Sequence, residues 1–70
     1  GWGPFSMGIS ESECRTSILK ACNGEIGWEN VNKLCPQFIS AIKNDLETCL
    51  QDPQSNSVSC DSVCTKIQQG

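Results

Sequence analysis

The chain has 70 residues, six of them cysteine and none histidine, with five basic against eight acidic residues and a formal net charge of -3. So short a chain builds one domain at most, with a core that alone leaves it marginally stable, and cysteine at this density indicates a disulfide scaffold. Its cations (Arg15, Lys20, Lys33, Lys43 and Lys66) are scattered, which argues against the clustered basic face that nucleic acid requires.

Residues 1–9 hold three glycines, a proline and the bulky Trp2, Phe5, Met7 and Ile9, in no helical or strand period. They read as an irregular N-terminal arm ahead of a single disulfide-rich helical domain, 10–70. The opening Gly1-Trp2-Gly3-Pro4-Phe5 lacks the basic and apolar blocks of a signal peptide, so a mature secreted product is expected. No stretch nears the roughly 18 apolar residues of a membrane span.

Ser10 followed by Glu13 is a capping box that opens a helix. Cys14, Ile18, Ala21 and Cys22 then share one face, and Asn23-Gly24 stops the helix near residue 22. Trp28, Val31 and Leu34 recur every three residues and suit a short helix or 3₁₀ turn near 28–34. Pro36 sits where a helix accepts its first residue. Phe38, Ile39, Ile42, Leu46, Cys49 and Leu50 fall within about 120° of one another on a helical wheel, predicting an amphipathic helix over 36–51 that Asp52-Pro53 ends. Gln54 to Ser57 is a polar loop, and Ser59 caps a last helix over 60–68 with Cys60, Val63, Cys64 and Ile67 on one face. The fold class is all-α: three main helices (about 11–22, 36–51 and 60–68) plus the short turn.

Geometry prunes the 15 pairings that six cysteines permit. Cys14 and Cys22 lie about 12 Å apart along a helix axis, beyond the roughly 4.4–6.8 Å that a disulfide spans between Cα atoms. Cys35 and Cys49 flank the long helix and are farther apart still, and the Cβ atoms of Cys60 and Cys64 stand side by side. Every remaining pairing gives each pair of main helices one bond. An up-down-up bundle favours Cys22–Cys35, with Cys14 and Cys49 taking Cys60 and Cys64 in either order. The rival reading of Cys60-x-x-x-Cys64 as thiolate metal ligands is weak, because histidine and a second close cysteine pair are absent. No metal is expected.

Catalysis is not expected either. Without histidine the usual base near neutral pH is missing, and disulfides would consume the thiols. Glu11 with Glu13, and Asp45 with Glu47, are spaced two apart and point to different faces of a helix. Nothing calls for a cofactor. What is left is binding. The first expectation is a secreted signal, pheromone, toxin or effector whose rigid helical surface meets a protein receptor or target, through Trp2, Phe5, Met7 and Trp28. Aromatic side chains are enriched at binding hot spots, although Trp28 is divided between core and surface, and in so small a protein the arm is expected sooner to fold back over the open side of the bundle than to stand free for a partner. The alternative is a small lipid- or sterol-binding or membrane-surface helical module, with Phe38, Ile39, Ile42, Leu46 and Leu50 facing Ile18, Leu19, Leu34 and Val63 across a cavity. Third comes a small protease inhibitor presenting loop 51–59 in extended form.

In architecture the layout resembles the secreted mating pheromones of ciliates, which are small, acidic, disulfide-rich three-helix proteins. It is more distantly similar to oomycete elicitins, helical six-cysteine sterol carriers. The spacing Cys-x7-Cys-x12-Cys-x13-Cys-x10-Cys-x3-Cys matches neither, so the resemblance implies architecture and no residue roles.

Overall fold

A reciprocal cap starts the first helix. In the computed structural model, which describes residues 10–69, Ser10 Oγ accepts the Glu13 backbone N–H at 3.2 Å and Glu13 Oε1 accepts the Ser10 N–H at 3.2 Å. Two donors that a helix start leaves without intrahelical partners are thereby satisfied. The helix α1 runs Glu11–Cys22 and ends at Asn23 and a left-handed Gly24 at φ 79°, as the Asn-Gly pair predicts. The arm over 1–9, with Trp2, Phe5 and Met7, lies outside the described residues.

The connection after α1 turns back along it. Trp28–Asn30 forms a single 3₁₀ turn packed on α1, while Val31 is buried in the core. The expected short element is thus present over three residues.

The 36–51 segment departs from the continuous helix expected of it. Two 3₁₀ turns, Cys35–Gln37 and Ser40–Ile42, precede a nine-residue helix α2, Lys43–Gln51. Between the turns Ile39 leaves the helical region at φ −122° and ψ 81°. Side-chain preference favours this break, since β-branched Ile39 and Ile42 lose rotamer freedom in a helix and Ser40 competes for backbone hydrogen bonds. Packing then fixes it: Ile39 is turned inward and only 5% exposed, whereas the adjacent Phe38 faces out.

The last helix, α3, spans Ser57–Gln69 and starts three residues earlier than predicted. Its approach is a tight turn over 52–56. Asp52 accepts from the Ser55 hydroxyl at 2.9 Å, the Asn56 N–H reaches the Asp52 carbonyl at 2.9 Å, and the Asn56 side chain donates to the Thr48 carbonyl at 2.9 Å. With Asn56 held this way its carbonyl accepts the Cys60 N–H at 3.0 Å, so Ser57, Val58 and Ser59 already belong to the helix and Ser59 is no cap.

Helix α3 packs against both α1 and α2. Ile18 and Ala21 from α1, Val31, Ile39 and Ile42 from the connections, Leu46 from α2, and Val63 and Ile67 from α3 form one buried cluster, with Leu19, Ile26, Trp28 and Leu50 against its edge. Among the described residues no buried side chain is polar or charged, and no strand is present.

Candidate binding surface and its disulfide frame

All six cysteines are paired: Cys14–Cys35, Cys22–Cys64 and Cys49–Cys60, with Cα separations of 5.6, 5.7 and 4.9 Å. The rule that no segment bonds to itself holds. One bond joins α1 to the Cys35 turn ahead of α2, one joins α1 to α3, and one joins α2 to α3. Cys60 and Cys64, one turn apart on α3, staple it to two different neighbours.

The favoured partner of Cys22 is corrected. It bonds Cys64, and Cys35 bonds Cys14 instead. The up-down-up picture set Cys35 beside the end of α1, as though the second helix began there. The chain first descends along α1, drawn by the burial of Val31 and the packing of Ile26 and Trp28 on the core. That path delivers Cys35 two turns lower, opposite Cys14. Cys49–Cys60 is one of the two orders expected for that pair.

This anchoring shapes the surface above it. Asn32 Oδ1 accepts the Leu34 N–H at 2.7 Å and the Asn32 carbonyl accepts the Cys35 N–H at 2.9 Å. The Leu34 and Cys35 carbonyls then accept the N–H groups of Gln37 and Phe38 at 3.1 and 2.9 Å. Cys35, at the centre, is fully buried in its bond to Cys14. The flanking Leu34 and Phe38 consequently stand outside, 44% and 38% exposed. Sequence reasoning placed both in the apolar interior. A signal separating them exists: Val31, Cys35, Ile39, Ile42, Leu46 and Cys49 recur at intervals of three or four and are all buried, and Leu34 and Phe38 fall outside that ladder.

Of the four expected partner-binding residues, Trp2, Phe5 and Met7 lie outside the described residues. Trp28 is half-buried with its ring packed against the core, so only part of it faces solvent. Val58, 81% exposed, is a further bulky apolar residue on the surface, in the first turn of α3. The strip proposed to line a lipid cavity is divided. Ile39, Ile42 and Leu46 pack with Ile18 and Val63 in the buried cluster, Leu19 and Leu50 lie at its edge, and Phe38 and Leu34 face outward. A depression of about 340 Å³ lies instead along α1, lined by Ser12, Glu13, Thr16, Ser17, Lys20 and Ile26. It is open to solvent, and five of its six lining residues are polar. Loop 51–59 is not extended, because 52–56 is a closed turn and 57–59 is helical.

A polar clasp crosses from α2 to α3. Asp45 Oδ2 accepts from Lys66 Nζ at 2.9 Å and from Ser62 Oγ at 2.8 Å. The Lys66 hydrogen bond first, and that of Ser62 second, hold the Asp45 carboxyl below its ordinary value of 3.8.

Set against known proteins, the chain matches no family, no curated sequence and no solved structure. The fold itself defines a class: a small all-α domain held by three disulfides. Those bonds, and the absence among the described residues of any helix long and apolar enough to cross a membrane, are compatible with an extracellular protein.

Proposed function

We propose that the protein is a secreted, non-enzymatic binding module of the signal or effector type, presenting a rigid helical surface to a protein receptor or target. The observation that carries this reading is the turn Leu34–Phe38. Two bulky apolar side chains are held in solvent on a backbone pinned by four hydrogen bonds and by a buried disulfide at its centre. A surface already ordered loses little conformational entropy on association, and desolvating an aromatic and a leucine supplies the kind of anchor that dominates protein interfaces. Trp28, and Trp2, Phe5 and Met7 of the arm, extend the proposed contact set.

The test applies fluorescently labelled protein to cells of the source organism and of those it meets. Saturable binding that unlabelled protein displaces, that disappears when the cells are first treated with protease, and that a Leu34→Asp/Phe38→Asp variant of unchanged helicity has lost, is the expected result. Equal binding to protease-treated cells, or to vesicles of their extracted lipid, contradicts a protein target. Undiminished binding by the folded double variant removes the Leu34–Phe38 turn from the interface.

A further inference from the structure

Cys22–Cys64 differs from the other two disulfides in two independent respects. The first is access. Cys14, Cys35, Cys49 and Cys60 are buried, none more than 4% exposed, whereas Cys22 and Cys64 are both partly open to solvent. Cys22 is also the last residue of α1, ahead of the Asn23 cap and the left-handed Gly24, so no helical turn beyond it restrains its backbone. Helix ends open locally at small free-energy cost. The second is topology. Cys14–Cys35 closes one loop and Cys49–Cys60 another, and the two do not overlap in sequence. Cys22–Cys64, with a sequence separation of 42, starts inside the first loop and ends on α3 just beyond the second, and is the one disulfide that ties α1 to α3.

We propose that Cys22–Cys64 is the thiol-exchange site of this protein, a redox latch that a dithiol reductant opens while the other two disulfides stay closed. One thiolate of the reductant attacks a sulfur of the pair. The S–S bond breaks, leaving a mixed disulfide and a cysteine thiolate that takes up a proton. The second thiolate of the reductant then displaces the remaining cysteine, which is protonated in turn, and the reductant closes its own disulfide. Two electrons and two protons have passed to the protein, and the reductant is oxidised by the same two electrons. Attack needs approach to a sulfur, which the buried pairs deny unless the core opens. The reduced form keeps both closed loops and loses the one disulfide between α1 and α3, so these two helices meet through packing and are otherwise connected only by way of the chain that runs through α2. A rigid surface thus becomes one whose halves can separate on meeting a dithiol.

The folded wild-type protein is treated with limiting dithiothreitol at neutral pH, quenched at intervals with iodoacetamide and mapped by mass spectrometry. The expected first product carries two carbamidomethyl groups, on Cys22 and Cys64, and forms about tenfold or more faster than any species carrying four. Early alkylation at Cys14, Cys35, Cys49 or Cys60, or simultaneous opening of all three bonds, overturns the proposal. A Cys22→Ser/Cys64→Ser variant gives a second reading. Amide hydrogen exchange along α1 should be faster in it than in the wild type, and exchange unchanged from the wild type contradicts the latch.

Discussion

Leu46, Ile18 and Val63 are fully enclosed, while Leu34, Phe38 and Val58 stand in solvent, and single substitutions should feel that difference. Leu46→Ala removes buried methyl groups and leaves a cavity, with an expected loss of about 3 kcal/mol by denaturant unfolding. In a domain this small that is a large part of the total. Leu34→Asp, at an exposed position, is expected to change stability by under about 1 kcal/mol. A comparable loss at both positions would mean that Leu34 is packed. Asp45 makes a different prediction, in pH. Its carboxyl is held below 3.8 by Lys66 and Ser62, so the folded state binds its proton less readily than the unfolded chain. The stability it contributes is therefore fully present above the ordinary carboxylate value and is lost as the pH falls from there through the folded value. Unfolding midpoints between pH 5 and pH 2 should fall less steeply for Asp45→Asn than for the wild type, and NMR titration should place Asp45 below 3.8. Parallel acid profiles would show that the clasp is open in solution.

At the scale of elements, α1 depends on its start. Ser10→Ala deletes the hydroxyl half of the capping box and is expected to lower stability by about 1 kcal/mol, measured as a shift in thermal midpoint. No shift would mean that the first turn is frayed. This helix was legible in the sequence because its signals are local: a cap, one apolar face, and Asn-Gly at the end. The interior of 36–51 was not. Its apolar positions satisfy a continuous helix on the wheel, yet the chain must turn where Cys35 reaches back to Cys14 and α2 sets out along α3. That requirement comes from contacts 21 positions apart, which a local period does not contain. The early start of α3 escaped for a related reason: Ser57, Val58 and Ser59 carry weak helical preferences, and the Asn56–Thr48 hydrogen bond that sets the start joins residues eight apart. The exposed turn Leu34–Phe38, the centre of the proposed site, follows from the same break, and its one trace in the sequence is that Leu34 and Phe38 fall outside the ladder of buried positions from Val31 to Cys49.

For the whole molecule, the rule of one bond for each pair of helical segments needed only the segments' approximate positions, and it holds. Choosing among the eight pairings it allows required the path of the Asn23–Leu34 connection along α1. The three bonds are unequal in what they constrain. In the chain-entropy picture a loop of 42 residues contributes about 4 kcal/mol and one of 11 about 3 kcal/mol. Cys22→Ser/Cys64→Ser is thus expected to lower the unfolding free energy by more than Cys49→Ser/Cys60→Ser, and the reverse order would show that local packing outweighs loop closure. The bond that constrains the unfolded chain most is also the one a reductant reaches first, since the former depends on loop length and the latter on exposure.

The anchored turn and the latch both stand on the connectivity of the six cysteines. Peptide mapping of the unreduced protein, digested at acidic pH to prevent exchange, tests it most directly. Three linked peptide pairs are expected, joining Cys14 to Cys35, Cys22 to Cys64 and Cys49 to Cys60. A Cys22–Cys35 bond, or any bond within α1 or within α3, would contradict the frame and the surface it carries.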